Sequence, residues 1–139
     1  MTIRAMDHFT ILTDCLDETL AFYAALGLVE GPRPDFGIPG AWLYAGDKPV
    51  LHIVGVADMP AVRRGALDHM AFTSEGLLAI ATVLKERGIV YSIIRTPRPF
   101  SRWQLFIEDP NGVEVELDFD IAEIPPEDWK ASAAAMRSR

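Results

Sequence analysis

The chain has 139 residues, 50% of them hydrophobic and 24% charged, with a formal net charge of −7. That composition is globular rather than disordered; the acidic balance argues against nucleic acid, which needs a basic face, and no apolar run reaches the ~18 residues of a membrane span. A single cysteine, Cys15, excludes an internal disulfide and fits a reducing cytoplasm. With no cationic neighbour in sequence it reads as a structural thiol. The opening MTIRAMDHF has no long apolar stretch and no small-residue cleavage site, so no signal peptide is expected.

In chain order, MDHFTILT reads as a strand. DCLDETLAFYAALG follows with Leu16, Leu20, Phe22, Tyr23 and Leu26 near helical spacing, Asp17 placed as N-cap and Gly27 as the glycine that ends the helix. Three short extended segments come next, LVEGP, AWLYAG and PVLHIVGV, separated by Gly, Pro and Asp. The order then repeats. GALDHMAFTS reads as a strand, and EGLLAIATVLKERG as a helix with Leu77, Leu78, Ala81 and Leu84 on one side and Gly88 at its end. IVYSII, RWQLFIED and GVEVELDF are three more strands, the last two joined by the turn Asp109-Pro110-Asn111-Gly112. The fold class predicted is α+β, with two tandem βαβββ modules forming a cupped mixed sheet. A single domain spans 1–120, with module 1 about 3–57 and module 2 about 65–119; residues 121–139 form a helical tail anchored by Trp129.

Strand parity separates two faces. Phe9 and Ile11 oppose His8 and Thr10. Leu51 and Ile53 oppose His52, and Met70 and Phe72 oppose His69. Val113, Val115 and Leu117 oppose Glu114 and Glu116. Each strand therefore has an apolar face suited to a helix and a polar face bearing a metal-ligand type of side chain. All three histidines fall on the polar face, two of them in matching Asp-His pairs, Asp7-His8 and Asp68-His69. A lone strand histidine is ordinarily a packed or rim residue. Four ligand-type residues at equivalent positions of a duplicated unit favour a site for Zn, Mn, Fe, Ni or Co. Glu114 is expected to be a solvated strand-end charge.

The motifs DHFTI, AFYAALGL, VLHIVG, LDHMAF and EDPNGVEVEL, in that order, resemble the vicinal oxygen chelate superfamily of glyoxalases, bleomycin resistance proteins and extradiol dioxygenases. The resemblance covers roughly residues 3–119. EDPNGVEVEL is similar to the family's DP-x-G-x-x-x-E signature, whose glutamate is a metal ligand and here is Glu116. By that resemblance His8, His69 and Glu116 are metal ligands, with His52 either a fourth ligand or an acid/base group beside an open facial triad, and Glu116 and His52 are the catalytic groups. His52 stands where glyoxalases commonly carry Glu or Gln. The implied activity is metal-dependent chemistry on a small substrate with vicinal oxygens, either glyoxalase-like isomerisation or lyase chemistry or extradiol-type dioxygenation. The alternative is a metal-free, antibiotic-sequestering protein of the bleomycin-resistance type. A cytoplasmic homodimer with no nucleic-acid or membrane partner is expected. Parity makes Trp42, Tyr44, Arg102, Gln104 and Phe106 the candidates for substrate binding. Arg95, Arg98 and Arg102 offer positive charge for a substrate anion.

Overall fold

The computed structural model describes residues 1–136, with side chains through residue 132. The chain divides into two compact units, residues 1–63 and a second unit that starts at Arg64. No helix among the described residues is long and apolar enough to cross a membrane.

The first unit contains β1 (Phe9–Thr13), α1 (Leu16–Ala25), β2 (Val29–Gly31), β3 (Gly40–Ala45) and β4 (Lys48–Gly55). Its sheet has the order β1-β4-β3-β2, with β1 parallel to β4 and the other pairs antiparallel. Period-2 alternation produces two distinct layers. Ile11 lies beside Ile53, and Ile53 beside Ala41; Leu51 and Leu43 form the neighbouring pair. All five are buried, as are Phe22 and Tyr23 of α1. On the opposite face Thr10, His52, Trp42 and Gly31 line up across the four strands. Cys15, not Asp17, is the N-cap of α1, and no side chain caps that end. Helical geometry begins at Leu16, which leaves Asp17 inside the first turn, where its charge faces the positive end of the helix dipole.

The second unit repeats the plan with β5 (His69–Thr73), α2 (Leu77–Glu86), β6 (Tyr91–Arg95), β7 (Arg102–Glu108) and β8 (Glu114–Asp120), then adds α3 (Trp129–Met136). The sheet order is β5-β8-β7-β6, again with one parallel pair, β5 and β8. Met70, Val115, Leu117, Phe119, Leu105, Ile107 and Ile93 are buried on one side, and α2 contributes buried Leu77, Ala81 and Leu84. Leu78, expected among them, is half exposed because it is one residue, about 100°, round the helix from Leu77. Both α1 and α2 end in the same device. Leu28 N–H reaches the Tyr23 carbonyl and Gly27 N–H the Ala24 carbonyl; Ile89 and Gly88 repeat this on Leu84 and Lys85. The glycines take φ of +99° and +68°, the left-handed turn that closes a Schellman motif.

The tail packs on the second unit. Glu123 Oε2 accepts the Gly76 and Leu77 N–H groups at 3.0 and 2.7 Å, capping α2 from a distant part of the chain. The Trp129 ring meets Trp103 edge-on at 4.9 Å, and Ser132 Oγ accepts the Ile93 N–H of edge strand β6 at 2.9 Å. Residues 137–139, part of the tail read from sequence, lie outside the described residues.

Candidate metal centre

In the second unit the polar face of the sheet gathers His69, Glu114, Glu116, Asp118, Gln104 and Phe106. The Asp109–Gly112 turn sets their register. Asp109 Oδ1 accepts the Asn111 and Val113 N–H groups at 2.8 and 2.9 Å, and Gly112 takes φ +82°. This places Glu114 opposite Glu108 and Glu116 opposite Phe106. The parallel pairing with β5 then sets His69 beside Glu114 and Ala71 beside Glu116.

His69 Nε2 lies 2.8 Å from Glu116 Oε2, and His69 Nδ1 lies 2.7 Å from Asp68 Oδ2. The Gln104 side-chain amide donates to Glu116 Oε1 and, at 3.0 Å, to Asp118 Oδ1, so both its N–H bonds are engaged. Arg102 Nη1 is 3.7 Å from Asp118, and the Phe106 ring stands edge-on to His69 at 6.1 Å. Burial and the Asp118 carboxylate push Glu116 from an ordinary 4.5 up to about 7, against the opposing pull of His69. The hydrogen bond to Asp68, with Glu116 and Glu114 adding to it, raises the His69 value.

Glu114 is not the solvated charge expected from sequence. It is buried, because β8 is an interior strand covered on both sides, and Arg64 Nη1 stands 3.5 Å from its carboxylate. Asp68, His69 and Glu114 each offer one ligand atom, and those atoms lie within 4.8 Å of one another.

In the first unit the structure brings His8 and His52 together. Their rings stack at 3.7 Å and 16°, and Trp42 covers the other face of His52 at 4.0 Å and 8°. Asp7 Oδ2 holds His8 Nδ1 at 2.5 Å. His52 Nε2 is buried and has no hydrogen-bond partner among the described residues. The Pro49 backbone accepts a hydrogen bond from the same ring, and with Nε2 unpartnered that bond belongs to Nδ1–H. Burial, with His8 and Arg33 nearby, lowers the His52 value, so the ring is neutral at neutral pH and its Nε2 lone pair is free. Tyr44 is engaged elsewhere: its hydroxyl donates to the Pro32 carbonyl at 2.6 Å and its ring lies against Gly31.

Taken unit by unit, the donor types present fit a divalent metal. A buried, unpartnered imidazole nitrogen and a buried carboxylate crowded by a second carboxylate are both costly in a metal-free protein. Imidazole nitrogen with carboxylate oxygen is the donor set of borderline first-row ions. Sequence reasoning singled out His8, His52, His69 and Glu116 but gave Asp7, Asp68 and the Gln104 bridge no part beside them. The signal available was the twice-written Asp-His pair.

Two matched modules of this topology, each carrying imidazole on its polar sheet face, define a duplicated α+β class. The chain belongs to the Glyoxalase/Bleomycin resistance protein/Dioxygenase superfamily, which it matches over residues 5–117. Among solved structures, a glyoxalase family protein of Enterococcus faecalis is 26% identical with a TM-score of 0.63, over 85% of this chain and 99% of that one. A candidate glyoxalase family protein of Bacillus anthracis is 22% identical with a TM-score of 0.70, over 86% and 98%. The virulence protein STM3117 of Salmonella typhimurium shares the fold at 17% identity and a TM-score of 0.61, over 87% and 100%. No curated protein matches the chain.

Proposed function

We propose that the chain is a metal-dependent enzyme acting on a small substrate with two adjacent oxygens, with His69 and Glu116 of the second module and His8 and His52 of the first as metal donors. The observation that carries this reading is Glu116. A carboxylate on an interior strand, aimed at an imidazole nitrogen 2.8 Å away and raised to about 7 by burial and by a neighbouring carboxylate, is poorly offset until a cation arrives. A bound divalent ion supplies Lewis acidity, stabilising negative charge as it develops on chelated oxygen.

The chain's own residues account for the remaining requirements. Gln104 fixes the orientation of the Glu116 carboxylate by bridging it to Asp118. By the family resemblance Glu116 is also the group proposed to take and return a proton, the step that isomerisation and lyase chemistry share. Trp42 and Phe106 supply apolar walls beside these groups, and Arg102 supplies positive charge. His52 is proposed as a direct ligand, since its free Nε2 lone pair is held in place by a strand and a stacked ring. A cytoplasmic, homodimeric state belongs to the same proposal; it rests on the single cysteine and the family resemblance.

The test is elemental analysis of untagged protein, followed by titration with Zn, Mn, Fe, Ni and Co. Near-stoichiometric uptake of one of them is expected, reduced in His52→Ala and in Glu116→Gln. Protein that neither carries nor takes up any of the five would replace this reading with a metal-free ligand-sequestering one.

A further inference from the structure

All three histidines of the chain have the same nitrogen occupied. His8 Nδ1 is held by Asp7 at 2.5 Å, His69 Nδ1 by Asp68 at 2.7 Å, and the His52 ring by the Pro49 backbone. In each case these local partners leave Nε2 to point elsewhere. It is unpartnered in His52 and directed at Glu116 in His69. The two aspartates are themselves exposed, at 90% and 72%, and each directly precedes its histidine. An exposed carboxylate contributes little to stability through such a contact. It does decide which ring nitrogen carries hydrogen and how far the ring can turn about its side-chain bonds.

We propose that Asp7 and Asp68 are positioning residues that present Nε2, rather than Nδ1, of His8 and His69 to a divalent metal. The inference rests on the metal reading above for its purpose, but not for its geometry, which holds in the metal-free protein. The backbone carbonyl at Pro49 does for His52 what the aspartates do for the other two. That explains why Leu51 can precede His52 with no carboxylate there. It also gives the repeated Asp-His pair a common role: in each module the residue before the histidine supplies the acceptor for its Nδ1–H.

The experiment has two arms on the full-length protein. In the first, long-range 1H–15N correlation spectra of metal-free protein at alkaline pH, where the rings are neutral, report the tautomer of each histidine. The expected result is Nδ1–H for all three in the parent. Asp7→Ala and Asp68→Ala should return His8 and His69 respectively to the Nε2–H form ordinarily favoured in water. In the second arm, Zn²⁺ affinity should fall roughly 10- to 100-fold in Asp68→Ala, with most of it restored in Asp68→Asn, whose amide oxygen still accepts the Nδ1 proton. A parent whose His8 and His69 are mainly Nε2–H overturns the proposal, as does Asp68→Ala with parental tautomer and parental Zn²⁺ affinity. A parent that binds no Zn²⁺ but shows the expected tautomers and their loss in the variants leaves the positioning role standing and defeats the metal reading alone.

Discussion

Replacing Glu116 with glutamine is expected to stabilise the metal-free protein at alkaline pH while weakening its hold on metal. The folded state raises the Glu116 value from 4.5 to about 7, so protonation favours folding. The contribution is full below about 4.5 and is lost as pH rises through about 7, the direction for a group whose folded value exceeds its unfolded one. At about 1.4 kcal/mol per pH unit, the displacement amounts to roughly 2–3 kcal/mol lost between about pH 5 and pH 8. The amide of the variant carries no charge at either pH and does not incur that loss. Urea unfolding in the presence of chelator, at about pH 5 and about pH 8, provides the comparison. The parent should lose more stability than the variant over that interval, and the variant should be the more stable of the two at the upper end. Parallel pH profiles for the two proteins would refute the reasoning, since Glu116 would then be no more burdened folded than unfolded. With saturating metal the order should reverse, because only the parent gains strongly from binding. That pair of outcomes would make Glu116 a stability–function trade-off confined to one side chain.

Metal affinity should fall on acidification, because His69 and Glu116 both take up protons more readily than their ordinary values imply. Calorimetric titrations at several pH values check this, and an affinity constant from about pH 8 to about pH 5 would contradict it. Gly112→Val should lower the unfolding free energy by about 1 kcal/mol or more, because φ +82° is a conformation a β-branched residue adopts poorly; thermal unfolding is the measurement. Leu105→Ala should cost about 2–5 kcal/mol, as the side chain is fully buried in the middle of the second sheet, and denaturant unfolding reads the loss directly.

What was legible in the sequence is what the backbone dictates locally. Strand parity assigned His8, His52, His69 and Glu116 to the polar faces because alternation is a property of one strand, independent of its partners. Gly27 and Gly88 marked the helix ends for the same reason: the left-handed turn is a local demand. Features made by distant parts of the chain were not legible. Glu114 became buried because Arg64, fifty residues earlier in the chain, reaches its carboxylate and because β8 lies inside the sheet. The amide of Gln104 bridges Glu116 and Asp118 only once β7 and β8 are in register. The N-terminus of α2 shows a related failure: Gly76 carries no capping side chain, and the cap comes from Glu123.

That cap has a consequence for how the second module opens. Three parts of the module each lack a group that only the segment after β8 supplies. The first N–H groups of α2 need the Glu123 carboxylate, the Trp103 ring meets Trp129, and the outward N–H of Ile93 needs the Ser132 hydroxyl. Trp103 Nε1–H also donates to the Glu123 carbonyl, which ties β7 to the same segment. Release of the tail therefore leaves orphan donors on α2, β6 and β7 at once. In hydrogen-exchange terms the amides of Leu77 and Ile93, on different elements, belong to one cooperative opening unit. The thermodynamic edge of the module lies at α3, well beyond the last strand of its sheet.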